Sequence, residues 1–324
     1  MKNLHLTNLI AVTFLLVSQI SYAQNNSNSV EPFIPEIVSQ FPNVRDLAIS
    51  PAGNELYFTA QSPLGDLSSL VCVKKKNGVW SNPEVPIFSG RYQDLEPAFS
   101  PNGLRLFFVS NRPTDSTKAE PKDYDIWYIE RKDAASQWSA AINIGAPINT
   151  KGNEFYPSVT KTNNIYFTSD GANSKGKDDI FVSKWINGKY QEPISLSDSV
   201  NSTGYEFNAF ISPNESYLLY TCYNRKDGFG SGDLYISYNK GNDNWTSAKN
   251  LGEEINSPQM DYCPFVYVQE GTLYFTSKRS DVKTKFEKHP GVPDIIKEMN
   301  KYENGQSRLY QVNIDTEIEQ EIDK

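Results

Sequence analysis

Apolar and polar residues alternate in short runs that come in pairs, each pair joined by a tight turn. Residues 92–112, YQDLEPAFSPNGLRLFFVSNR, hold an alternating segment at 95–100, a Pro-Asn-Gly turn at 101–103 and a second apolar segment at 104–110. Two such runs around such a turn predict a β-hairpin. Four other stretches repeat it: RDLAISPAGNELYFTAQ from Arg45, NEFYPSVTKTNNIYFTSDG from Asn153, YEFNAFISPNESYLLYTCYNR from Tyr205 and MDYCPFVYVQEGTLYFTSKR from Met260. Copies spaced by roughly 50 to 60 residues mark a repeat architecture.

A third, aromatic-rich strand follows each hairpin: SLVCVKK from Ser69, DIWYIER from Asp125, DIFVSKW from Asp179, DLYISYN from Asp233 and RLYQVNI from Arg308. In the first four repeats a fourth strand comes after a further turn: GVWSNPEVPI, QWSAAINIG, KYQEPISLS and NWTSAKNLG. Four antiparallel strands per repeat make one propeller blade. The expected fold is therefore all-β, a five-bladed β-propeller. The fifth repeat lacks its fourth strand, and residues 31–40, EPFIPEIVSQ, match the fourth-strand stretch QEPISLSDSV in proline spacing and alternation. That N-terminal strand is expected to complete the last blade and close the ring, leaving no unpaired edge at the seam.

The last blade also carries an insertion over about 280–307. Within it PDIIKEMNKYENG starts with Pro293 in a first-turn position and stops at Gly305, with Ile295, Ile296, Met299 and Tyr302 on one helical face. A short helix is expected there, gating the channel mouth or covering the closing seam. Ahead of the repeats, residues 1–23 have a basic start at Lys2, an apolar run at 9–17 and small residues at Ser21 and Ala23, the pattern of a cleavable secretory signal. The run is too short to span a bilayer as a helix. The domain reading is a signal peptide (1–23), a flexible linker (24–30), one propeller (31–315) and a charged tail (316–324). The chain is expected to be exported, to the periplasm or the exterior, and monomeric.

Composition narrows the chemistry. The net charge of −8 argues against nucleic acid or an anionic membrane as partner. Of two histidines, one lies in the signal, so His289 alone remains. A Ser-His-Asp triad or a multi-histidine metal site is not expected, and neither is a cofactor. The loops 170–179 (DGANSKGKDD) and 224–233 (NRKDGFGSGD) lack the ligand spacing of a calcium loop and read as solvated turns. Three cysteines, Cys72, Cys222 and Cys263, leave either one bridge, Cys222 with Cys263 across neighbouring blades, or buried thiols.

Hairpins of the form E-x-x-P, then S-P-x-G, then an apolar Tyr-Phe strand ending near Ser and Arg, followed by an Asp-Ile-aromatic strand, resemble the TolB-type, WD40-like (PD40) repeat of exported bacterial β-propellers. The fit is best in the second and fourth repeats; the third has Lys161, and the fifth Gln269, where the turn proline is expected. Nothing resembles the separate N-terminal domain of TolB. The resemblance implies a propeller serving as a binding platform, with many functions across the family.

Strand direction places the linkers that enter each blade on the same face as the connections between second and third strands. Near the entry prolines stand Asp94, Glu154, Glu206 and Asp261, flanked by Tyr92, Phe155, Tyr205, Phe207 and Tyr262; Asp46 of the first repeat is displaced by two positions. A ring of acids and aromatics suits a sugar or a cationic peptide, while the same acids repeated in every blade would also serve to cap strand entries. Arg112, Arg225 and Arg279 at second-strand ends are expected to pair with Asp125, Asp179 and Asp233 at third-strand starts. The functional expectation is a non-catalytic binding or scaffolding module whose partner is a glycan, a peptide or an envelope protein. A carbohydrate-active hydrolase is the alternative, since glycoside hydrolysis needs only two carboxylates about 5 to 9 Å apart.

Overall fold

The computed structural model describes residues 29–314 apart from 116, 118 and 119. The signal segment, most of the linker and the charged tail lie outside the described residues. Five four-stranded antiparallel sheets form a five-bladed propeller. Blade 1 runs Asn43–Ile49, Glu55–Gln61, Ser68–Lys76 and Val79–Trp80. Blade 2 runs Asp94–Phe99, Arg105–Ser110, Asp125–Glu130 and Ile142–Asn143. Blade 3 runs Glu154–Val159, Ile165–Ser169, Asp179–Ser183 and Ile194–Ser195. Blade 4 runs Glu206–Ile211, Tyr217–Tyr223, Gly232–Tyr238 and Lys249–Asn250. Blade 5 takes Asp261–Tyr267, Thr272–Ser277 and Arg308–Asn313, and its outer strand is the N-terminal Glu31–Pro32.

The hairpin turns follow from their serines. Ser50, Ser100 and Ser212 each accept a backbone N–H on the carbonyl, from Gly53, Gly103 and Glu215 at 2.8 Å. Each hydroxyl accepts a second N–H, from Glu55, Arg105 and Tyr217. Thr160 plays the same part in blade 3, its carbonyl taking the N–H of Asn163 and its hydroxyl that of Asn164, in a turn one residue shorter with Lys161 at the proline position. The serine or threonine supplies the fold of the turn, and the proline only stiffens it.

Two expectations need correction in detail. Only Glu31 and Pro32 of 31–40 are strand, pairing with Gln311 and Tyr310; the chain then turns into a one-turn helix, α1, Pro35–Val38. The strand cannot run further because the chain must cross from blade 5 to the start of blade 1. The insertion contains the helix α2, Val292–Met299, but its orientation differs from the expected one. Tyr302 packs inward, its hydroxyl donating to Leu309 O at 2.6 Å, whereas Ile296 and Met299 are exposed and Glu298 is buried. Glu298 holds the turned helix by accepting the Lys283 N–H and pairing with Lys301 at 2.8 Å.

The core is divided into sectors, one at each seam between blades. Tyr57, Leu70, Phe108 and Trp127 fill the seam between blades 1 and 2, and Phe107, Val109, Ile165 and Phe181 the next. Tyr166, Ile180, Tyr220 and Trp245 join blades 3 and 4; Phe210, Leu234, Phe275 and Tyr310 join blades 4 and 5. The closing seam between blades 5 and 1 takes Phe33, Ile37, Val38, Phe58 and Tyr274. A sixth, smaller cluster of Tyr156, Tyr262 and Cys263 lies on the axis.

Candidate functional site

The linkers that enter blades 3, 4 and 5 repeat one device, an asparagine followed by serine or threonine and, four residues after that, an acid. The Asn149, Asn201 and Asn256 amides clamp the backbone N–H and carbonyl of Ile126, Ile180 and Leu234 in the preceding blade. Thr150, Ser202 and Ser257 then donate both backbone N–H and hydroxyl to Glu154, Glu206 and Asp261. In blade 2 the Ser89 hydroxyl and the Gly90 N–H serve Asp94. All four acids are at most 1% exposed. The structure thus brings Asp94, Glu154, Glu206 and Asp261 to one face, but under the linkers rather than open to solvent.

The arginines take different partners from those expected. Arg112 reaches Asp94 at 2.6 Å and Arg279 reaches Asp261 at 3.2 Å, and each also donates to a linker carbonyl, Phe88 O or Ile255 O. The register explains this: Ser110 already stands opposite Asp125, so an arginine two residues further on folds back across Trp127 toward the entry acid of its own blade. Arg225 pairs with Asp227 at 3.3 Å over the Tyr235 ring. The third-strand acids are held by their own loops. Asp125 takes Lys122 at 2.7 Å, Asp179 takes the N–H groups of Lys175 and Gly176, and Asp233 those of Phe229 and Gly230.

The aromatic candidates divide among three places. Tyr92 lies off the axis, in a groove of about 560 Å³ with Leu67, Val85 and Gln93. Phe155, Phe207 and Met260 gather on the axis around the buried Tyr262, whose hydroxyl is hydrogen-bonded to Ser307. Tyr205, 37% exposed, meets Tyr223 edge-on at 5.7 Å.

The five innermost strands share a further feature that the repeats conceal. Each carries a residue with left-handed backbone at its bulge: Asp46, Glu96, Tyr156, Asn208 and Cys263. A positive φ in a non-glycine residue is strained and persists only where its surroundings hold it. At three of the five, threonines of the preceding blade do so. Thr276, Thr59 and Thr168 accept the N–H of Asp46, Glu96 and Asn208. Blade 2 has Val109 at the threonine position, and there Glu96 Oε2 accepts the Tyr156 N–H instead, at 2.7 Å.

These bulge residues meet on the axis. Arg45 donates from Nε to Asp46 at 2.8 Å and from Nη2 to Glu96 at 2.6 Å and to Cys263 Sγ at 3.4 Å. The Asn208 amide donates to Glu96, the Cys263 thiol to Asn208, and the Tyr156 hydroxyl to Pro264 O across the ring. One cation and two carboxylates therefore fill the throat, and the two mouths of the ring are separated. Sequence reasoning did not place Arg45, Glu96, Tyr156, Asn208 or Cys263 on the axis; the signal available for the last four was a residue just before, or aligned with the residue before, the entry proline.

Burial pushes Glu96 up to about 7 despite the Arg45 guanidinium, and pushes Glu154 up to about 7 despite the hydrogen bonds from Thr150. Burial raises Glu206, Asp178 and Asp233 as well. Unfolded, the two glutamates lose their protons near 4.5. Between there and neutrality the folded chain binds more protons, so its stability falls as pH rises through that window. Glu215, held low by Lys184 and three hydrogen-bond donors although burial opposes this, acts in the opposite sense only in more acidic solution. The urea midpoint is expected to be higher near pH 5 than near pH 8, and Glu154→Gln should flatten part of the difference. A midpoint that rises toward pH 8 would contradict this.

All three cysteines are free and buried, so Cys222 and Cys263 do not pair. Cys222 faces Glu206 and Arg225 within blade 4, while Cys263 points to the axis. Among the described residues no group of three or more His, Cys, Asp and Glu side chains is placed to hold a metal, and no helix is long and apolar enough to cross a membrane.

No protein-family model matches the chain, and no curated protein does. Solved structures similar to it include TolB from Acinetobacter baumannii, 12% identical with a TM-score of 0.47, covering 83% of this chain and 54% of that one. The Hadza microbial sialidase Hz136 is also 12% identical, with a TM-score of 0.47, over 74% of this chain and 55% of that one. The α-L-arabinofuranosidase from Lactobacillus brevis is 14% identical, with a TM-score of 0.46, over 82% of this chain and 90% of that one. The chain spans about half the length of the first two. At these values the likeness assigns no activity.

Proposed function

We propose that the protein is an exported, non-catalytic binding propeller that contacts a glycan, a peptide or an envelope protein through its blade-entry face. The observation that carries this reading is the division of labour on that face. The carboxylates are consumed by the chain's own N–H, hydroxyl and guanidinium groups, while aromatic rings at Phe155, Phe207 and Tyr205 keep exposed edges. Aromatic area with few free charges suits sugar rings or apolar side chains. The expected result is capture of a partner from glycan arrays or crosslinked envelope extracts, weakened at least about tenfold by Phe155→Ala with Phe207→Ala. Unchanged capture by the folded double variant would move the contact surface elsewhere.

One observation favours the hydrolase as a second reading. Asp94 and Asp261 face arginines, whereas Glu154 faces none and is pushed up to about 7, so the acids have unequal surroundings, as an acid and its partner base require. Burial of all four beneath the linkers counts against access by a sugar. Turnover of chromogenic glycosides that disappears in Glu154→Gln would establish the hydrolase.

A further inference from the structure

We propose that the opposite mouth of the ring, on the face of the hairpin turns, is a binding site for a small amphiphilic anion: a compact aromatic or branched apolar body bearing one carboxylate. A cavity of about 300 Å³ opens there, lined by the second halves of the innermost strands of all five blades. That volume lies at the lower end of small-ligand pockets, about 300 to 1,000 Å³. Its walls are apolar, with Leu47, Pro97, Pro157, Phe210, Pro264 and Phe265 among them, and the Tyr156 ring closes it toward the axial network. The Tyr156 hydroxyl is committed to Pro264 O, and burial keeps the phenol neutral, so the inner end offers apolar contact and no charge. An apolar group entering this mouth leaves water for a preformed apolar surface.

The specificity comes from the rim. Where three blades have a turn proline, Pro51, Pro101 and Pro213, and blade 5 has Gln269, blade 3 has Lys161, the one residue of formal charge among those lining the cavity. Its side chain is exposed and has no ion-pair partner among the described residues. The acid of the neighbouring turn, Glu215, is already engaged by Lys184, Thr162, Asn164 and Tyr166. An apolar well with one unmatched ammonium at its lip is complementary to an apolar molecule with one anionic end. The axial network separates this mouth from the blade-entry face, so the proposal stands or falls independently of the function proposed above.

The test measures displacement of anilinonaphthalene sulfonate, itself an aromatic anion, from the folded protein by 3-phenylpropionate and by the uncharged 3-phenylpropanol. Displacement by both is expected, with the acid about tenfold tighter than the alcohol. Lys161→Met should bring the acid down to the affinity of the alcohol, and Ala98→Phe, which fills the well, should abolish both. Urea curves verify that each variant is folded. Equal affinity for acid and alcohol, or an unchanged preference in Lys161→Met, would overturn the anion specificity. Absence of binding by either compound to the folded wild type would overturn the site.

Discussion

Removing residues 29–38 is expected to leave a chain that does not hold a folded propeller. The segment is short, but it supplies the outer strand of blade 5 and carries the chain from there to blade 1, so it closes the ring. Glu31 and Pro32 pair with Gln311 and Tyr310, and the Phe33 N–H donates to Leu309 O at 3.0 Å. Phe33, Ile34, Ile37 and Val38 are all buried, packed against Val44, Leu56 and Phe58 of blade 1 and Tyr274 and Leu309 of blade 5. Phe33 meets the Tyr274 ring edge-on at 4.7 Å. Truncating one large buried apolar side chain typically costs about 2–5 kcal/mol, so losing four costs about as much as the whole stability of an ordinary domain, about 5–15 kcal/mol. The deletion should therefore give aggregated or uncooperatively unfolding protein. Phe33→Ala is the measurable form of the same prediction: a loss of about 3–5 kcal/mol in urea denaturation, in a chain that still folds. A loss below about 1 kcal/mol would show that the seam is held by blades 1 and 5 alone.

The blades were legible because each carries the same hairpin signature, apolar alternation on both sides of a tight turn, which a serine or threonine fixes locally in the first four and Val268 replaces in the fifth. The closing strand was legible for its first two residues, where the proline spacing matches its equivalents, and not beyond, where crossing to blade 1 imposes the helix Pro35–Val38. The entry acids stood out by repetition, yet repetition could not say whether they face solvent or the linkers. The arginines were seen at the right strand ends and assigned the wrong acids, because pairing depends on which way a long side chain folds and sequence spacing does not encode that. Least legible was the axial tier. Its five positions hold Asp46, Glu96, Tyr156, Asn208 and Cys263, five residue types that look unrelated when repeats are aligned. Their constraint acts across the ring, between copies, where each residue answers a different partner.

Arg45→Met is expected to destabilise the protein by about 3–5 kcal/mol near pH 8 and by distinctly less near pH 5. The substitution leaves Asp46 and Glu96, 1% and 3% exposed, without the one cation between them. Removing one partner of a buried ionic group costs more than the group contributes when intact, because the remaining charge has neither water nor a counterion. Glu96 is already pushed up to about 7 by burial with Arg45 present, so without Arg45 protonation becomes easier still, and acid supplies the relief that the guanidinium gave. Arg45→Lys should recover only part of the loss, since Nε serves Asp46 while Nη2 serves Glu96, a fork that a single ammonium does not reproduce. Arg45→Met combined with Asp46→Asn and Glu96→Gln should recover more, because it removes the charges together. Arg45 also lies over the Tyr262 ring, 5.3 Å from its centroid, so part of any loss belongs to packing. The pH dependence separates the two: a cost that is the same near pH 5 and near pH 8 would assign Arg45 to packing, and a cost that shrinks in acid assigns it to neutralising the throat.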